Sequence, residues 1–265
     1  MAIDSHIQLP VQILKHFRDE TDPEKKVWYL DISKGEIYRK AAKKLGVSKG
    51  YYSEDGENFW SQYVESPLGV LNKKIRSFCS GASEQITITS EDIELAKRYI
   101  KSATVRSNLA YMAMRQSSVT AALFSEQENH DALSVFGMNS NGPFDQLFAD
   151  LSVTVIANRT ERALVVPRNC YYCVSRHGVR NFVIPISPQS AFLLLPAEHL
   201  NQVDNGYGVI EDPVQVEVMN VLALKYEYMF NADFIASNCR AELEFLKKFQ
   251  QENRALLENL RNSVV

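Results

Sequence analysis

The sequence predicts an α+β fold: an N-terminal β-hairpin, a central helical layer, an antiparallel sheet of short strands, and C-terminal helices. Three observations lead there. Two strand-like runs flank Ser33-Lys34-Gly35. Apolar residues recur with helical spacing between 57 and 136. From 152 to 195 the chain breaks into short runs rich in Val, Ile and aromatics, separated by turn residues. No repeat, low-complexity tract or Gly/Ser linker divides the 265 residues, so one domain is expected over 1–265. Its parts are a hairpin with the first helix (1–80), a helical part (90–137), the sheet (150–196) and the C-terminal helices (213–262).

Pro10 suits the first position of a short helix reaching Phe17. The hairpin strands are 26–31 and 36–40, and 46–56 reads as loop. Phe59, Trp60, Tyr63, Val64, Leu68, Leu71 and Ile75 keep helical phase, with a kink or restart expected at Ser66-Pro67. Thr89 or Ser90, with Asp92 behind, caps a helix reaching about Gln116, and a second helix spans 119–136. Strands are expected at 152–157, 163–166, 171–174, 182–186 and 191–195, with loop at 205–208. Pro213 starts a helix to about Asn231 whose apolar residues cover most of its circumference, so burial is expected nearly all round. Leu246, Phe249, Leu256 and Leu260 form one stripe on the last segment, interrupted by Asn253.

A composition of 45% hydrophobic and 23% charged residues is ordinary for a globular protein. The net charge of −3 excludes a global basic field that would draw the chain to nucleic acid, while leaving room for a local basic patch. The longest apolar run, at 191–195, has the length of a core strand, so no membrane span is expected. The polar N-terminus implies a cytoplasmic chain with reduced thiols.

The candidate chemistry lies in scattered polar residues. Arg106 falls in phase with Leu95, Tyr99 and Ala113, so it points toward the apolar side of its helix. An inward guanidinium needs a partner, either a bound anion such as phosphate or an internal carboxylate such as Glu57. Arg115 lies nearer the polar edge, where a helix end favours cations. Glu57 sits at the edge of its helix's buried face, with Glu65 further round. With His6 near, these acids suit a general base or a divalent metal ligand, although Glu57 in a first turn equally suits the helix dipole. Cys170-Tyr171-Tyr172-Cys173 is a single CxxC, too few ligands for zinc, and strand residues three apart face opposite sides. Phosphate-binding and dinucleotide-binding glycine motifs, the nucleophile elbow, and a basic-aromatic RNA-binding strand are not evident.

His6, Pro10, Leu14 and Phe17, the Gly50-Tyr51-Tyr52 turn, and Glu57 with Glu65 together resemble a bacterial family, domain of unknown function 4238. Ala113-Met114-Arg115, Asn158 before a strand, Pro185-Ile186-Ser187-Pro188 and Asn220 are similar to its later segments. The chain departs from it in the longer gap from His6 to Pro10, and in Pro167-Arg168-Asn169-Cys170, where the family shows Ser-Asp-Asn-Pro. The resemblance implies an accessory bacterial protein in a mobile-element or phage-defence setting.

Two functions are therefore expected. One is a nuclease-like hydrolase acting on nucleic acid or a nucleotide, with His6, Glu57 and Glu65 catalytic and Arg106 or Arg115 holding the anion. The other is a non-enzymatic binder of a protein partner or a second copy of itself, through Leu246, Phe249, Asn253, Leu256 and Leu260.

Overall fold

Alternating apolar side chains decide how the strands are used. The computed structural model describes residues 4–6, 9–79, 86–106, 127–131, 138, 150–176, 179–202, 207–230 and 232–262. Near the N-terminus lie β1 (Asp4–His6), α1 (Val11–Leu14), β2 (Val27–Asp31), β3 (Glu36–Lys40) and β4 (Val47–Lys49). The helices α2 (Glu54–Trp60), α3 (Ser66–Cys79) and α4 (Ser90–Val105) follow. Then come β5 (Leu151–Asn158), β6 (Val166–Pro167), β7 (Tyr172–Arg176), β8 (Val179–Ser187), β9 (Ser190–Pro196) and β10 (Tyr207–Ile210). The last elements are α5 (Pro213–Met229), β11 (Phe234–Ser237), α6 (Arg240–Glu252) and α7 (Arg254–Asn262). This is an α+β architecture.

The strands build a five-stranded sheet, β10-β5-β9-β8-β7, a four-stranded sheet, β3-β2-β11-β6, and a short β1-β4 ladder. Period-two alternation gives each larger sheet two apolar faces. Val153, Val155, Phe192, Leu194, Ile184, Val27, Phe234 and Ala236 face one core, shared with α3 and α4. Ala191, Val183, Leu30 and Ile235 face a second core, closed by α5, α6 and α7.

The hairpin, the short Pro10 helix and the Thr89 cap fall where the sequence puts them. Several elements differ. β11 is a four-residue central strand between the hairpin and β6, joining the first and last parts of the chain in one sheet. The run at 163–166 contributes only β6, in the second sheet, with Pro167 on the edge strand, where a missing N–H is tolerated. Tyr207 and Gly208, read as loop, belong to β10, which pairs parallel with β5 and makes that sheet mixed. Residues 47–49, also read as loop, pair as β4. The expected extension of α4 to 116 and most of the helix at 119–136 lie outside the described residues; 127–131 are helical.

The helix restarts at Ser66-Pro67, as expected, with no gap before it. A π turn, Ser61–Glu65, joins α2 to α3. Pro67 has no N–H to give, and its ring crowds the carbonyl four residues back, that of Tyr63. The wide turn frees that carbonyl, and Arg98 donates to it at 3.4 Å. At the other end of the chain Asn253 divides α6 from α7: its side-chain amide and backbone N–H both donate to the Phe249 carbonyl, each at 3.0 Å.

α5 is buried along one stripe rather than all round, because it lies across the sheets with one side outward. Val216, Asn220, Ala223, Leu224, Glu227 and Tyr228 face inward, whereas Val214 and Val218 are exposed. Asn220 takes the place of a missing strand neighbour: its carbonyl accepts from Val165 N at 3.0 Å, and its amide donates to Ala163 O at 2.9 Å. Asn220→Ala should leave both buried backbone groups without partners and cost about 2–4 kcal/mol, read as a lower urea midpoint at unchanged slope.

Candidate functional site

Three helices bring the inward arginine to its partner. α4 starts with a reciprocal cap, Thr89 Oγ1 accepting from Asp92 N at 3.2 Å and Asp92 Oδ2 from Thr89 N at 2.9 Å. It ends at Arg106, which is only 2% exposed. Arg106 Nη1 donates to Glu65 Oε1 at 3.2 Å, and Glu65 is 9% exposed. The guanidinium carbon lies 5.0 Å from the centroid of the Trp60 ring and 5.7 Å from that of Tyr52. Burial pulls the Arg106 pKa down, but Tyr52, Glu65 and Glu57 outweigh it and hold the guanidinium above its ordinary value. The π turn carries Glu65 round to the buried side, where it bonds to Arg106.

The aromatic wall is braced from behind. Gln127 Nε2 donates to the Tyr52 carbonyl at 2.7 Å, and His130 stacks on Tyr51 with ring centroids 3.6 Å apart. The Asp131 carboxylate accepts from Ser53 N at 3.3 Å. Tyr52 itself is buried, so the ion pair lies in a closed interior.

The turn Pro167-Arg168-Asn169-Cys170 joins this pair to a second buried acid. Cys170 sits at φ 67°, a left-handed conformation uncommon for a residue with a side chain. Burial pushes its thiol up to about 12, and it lies within the fields of Arg106, Glu65 and Glu227. On the other side Asn169 donates to Glu227 Oε1 from Nδ2 at 2.8 Å and from its backbone at 3.4 Å. Among the described residues, Glu227 Oε2 is buried without a hydrogen-bond partner. Arg168 pairs with Asp233. Glu227 escaped the sequence reading, although its spacing from Val216, Asn220 and Ala223 on α5 is the signal that places it inward.

The remaining predicted residues are described in part. His6 belongs to β1 with its Cα opposite Val47, on the ladder whose second strand runs on to the Tyr51-Tyr52 turn; its side chain is outside the described set. Arg115 also lies outside the described residues. Glu57 occupies the first turn of α2 and adds to the field at Arg106. On the C-terminal stripe, Leu246 is fully buried in the chain's own second core, with Phe249 and Leu260 packed against it. Lys225 of α5 lies over the Phe249 ring. Asn253 ends α6, and Leu256 is 47% exposed. That surface is therefore largely covered from within the same chain. Cys170 is buried and Cys173 lies on β7. Among the described residues no group of three His, Cys, Asp or Glu side chains is placed to hold a metal ion. The described helices include none long and apolar enough to cross a membrane.

No family model, curated protein or solved structure matches the chain. Chemically, the arrangement neutralises charge inside aromatic walls, and it holds one carboxyl, Glu227, whose protonation is coupled to folding.

Burial pushes the Glu227 carboxyl up to about 8, against hydrogen bonds from Asn169 and the charge of Arg168. The folded state therefore holds this proton more tightly than the unfolded chain, and stability falls as pH rises toward 8. Burial of His16 and His130 lowers both to about 4, which works in the opposite sense and fades as pH rises past their ordinary 6.5. Between pH 6.5 and 8 the histidines offset part of the Glu227 slope, so the difference between wild type and Glu227→Gln isolates the carboxyl, approaching about 1.4 kcal/mol per pH unit at the lower end of that window. Urea unfolding across that window should show the wild type steadily losing stability relative to Glu227→Gln as pH rises. Parallel lines would contradict the assignment.

Proposed function

We propose that this chain is a binding protein whose ionic interior is structural, and that it does not hydrolyse phosphoesters. The observation that supports this is the Arg106–Glu65 pair. The guanidinium proposed for an anion and one of the acids proposed for catalysis hold each other between Trp60 and Tyr52, away from water. A catalytic arginine must face the charge that develops on substrate, and a general base must reach the proton it takes. On this reading the chain works through its surface, in the cytoplasm of a bacterium, with mobile-element or phage-defence work as its setting.

Turnover assays test it. Purified protein with magnesium or manganese should release nothing above background from a phosphomonoester, a phosphodiester, DNA or RNA, and Glu57→Gln should behave identically. A rate that Glu57→Gln abolishes, at an unchanged melting temperature, would overturn the proposal.

A further inference from the structure

The interior pairs its charges, and one part of the surface does not. From 37 to 53 every charged residue is basic, Arg39, Lys40, Lys43, Lys44 and Lys49, in a chain whose net charge is −3. Arg39 is engaged, with Asp22 at 3.3 Å and stacked 4.8 Å over Trp28. Lys40, Lys43, Lys44 and Lys49 are exposed and make no ion pair among the described residues.

Folding adds cations from elsewhere. α1 packs on the 3-10 turn Ala42–Lys44, so Lys15, just beyond α1, lies close to it. Arg18 bridges Val27, whose other neighbour is Lys40. Arg76 of α3 reaches His16, Nη1 to Nδ1, at 2.9 Å. The imidazole is held down to about 4 by burial and then by Arg76, Arg18 and Lys15, three cations. The acids of the nearby 19–24 turn are already tied: Asp19 accepts from Trp28 Nε1 at 2.9 Å, Glu20 pairs with Lys25, Asp22 with Arg39 and Glu24 with Lys26. Glu36 pairs with Lys247 and Asp31 with Lys34.

An exposed ring stands beside these cations. Tyr38 is 40% exposed on β3, an edge strand, and residues two apart on a strand share a face, so it stands with Lys40. Tyr29 supports it from behind with centroids 5.6 Å apart, and Tyr29 in turn meets Phe234 at 6.1 Å. Lys34 Nζ lies 5.7 Å from the Tyr38 centroid. Unpaired lysines beside a fixed, accessible ring suit a polymer that offers both phosphates and flat faces. A duplex keeps its bases stacked, so the ring favours a single strand.

We propose that Lys15, Lys40, Lys43 and Lys44, with Tyr38 as the stacking ring, form a binding surface for single-stranded nucleic acid. The proposal deepens the reading of the chain as a binder and rests on it.

Fluorescence anisotropy with labelled oligothymidylate and oligouridylate at low salt tests it. Lys43→Glu/Lys44→Glu should weaken binding about tenfold or more and make the plot of log affinity against log salt shallower by about 1.4. Tyr38→Ala should weaken it about tenfold without changing that slope. Lys248→Glu, on α6, should bind as the wild type does. Absence of binding, or indifference to the charge reversal, would overturn the surface. So would tighter binding to vesicles of anionic lipid that ignores Tyr38→Ala. Cleavage of the oligonucleotide during the assay would instead overturn the non-catalytic reading and leave the surface standing.

Discussion

A guanidinium taken out of water must find a carboxylate, and in this chain that requirement ties distant segments together. Arg106 at the end of α4 meets Glu65 on the π turn and lies over the rings of Trp60 and Tyr52. Tyr52 is held through its carbonyl by Gln127, and the field at Arg106 extends to Cys170 on the turn after β6. Each of these elements is placed by a helix cap, a strand or a turn that forms for local reasons. The charge pair makes their relative placement specific, since removing either partner strands the other in a low-dielectric interior.

The elements set by local rules were legible in the sequence. The Val27–Asp31 and Glu36–Lys40 hairpin, the Thr89–Asp92 cap, the helix start at Pro213 and the inward Arg106 all follow from turn chemistry or helical phase. What stayed hidden depends on partners remote in the chain. The four residues of β11 are strand only because β2 and β6 flank them. Tyr207–Ile210 carries a glycine and pairs parallel with β5, a contact no short-range signal reports. The restart expected at Ser66-Pro67 is where α3 begins, whereas the π turn before it, with Arg98 donating to the Tyr63 carbonyl, left no sequence signal. That Glu65 also reaches the arginine depended on the extra residue of that wide turn.

The candidate site shows the same division. Helical phase identifies the residues that point inward, and Glu227 obeys it as well as Arg106 does. Phase cannot tell whether an inward charge faces a cleft or another side chain. The turn Pro167-Arg168-Asn169-Cys170 answers part of that question by lying between the two buried acids. The surface tells the complementary story. Tyr38 and Lys40 look unremarkable in the hairpin, and Lys15, Lys43 and Lys44 lie on separate segments, so their common field exists only once α1 packs against the 3-10 turn.

The claim that matters most is that Arg106 and Glu65 are a structural clasp. A double-mutant cycle in urea measures it directly, using Arg106→Met, Glu65→Leu and the pair together. Each single change should cost about 3–5 kcal/mol, and the double should cost far less than their sum, because apolar groups replace both charges at once. Single changes that cost little, or costs that simply add, would show that the two side chains do not hold the interior together.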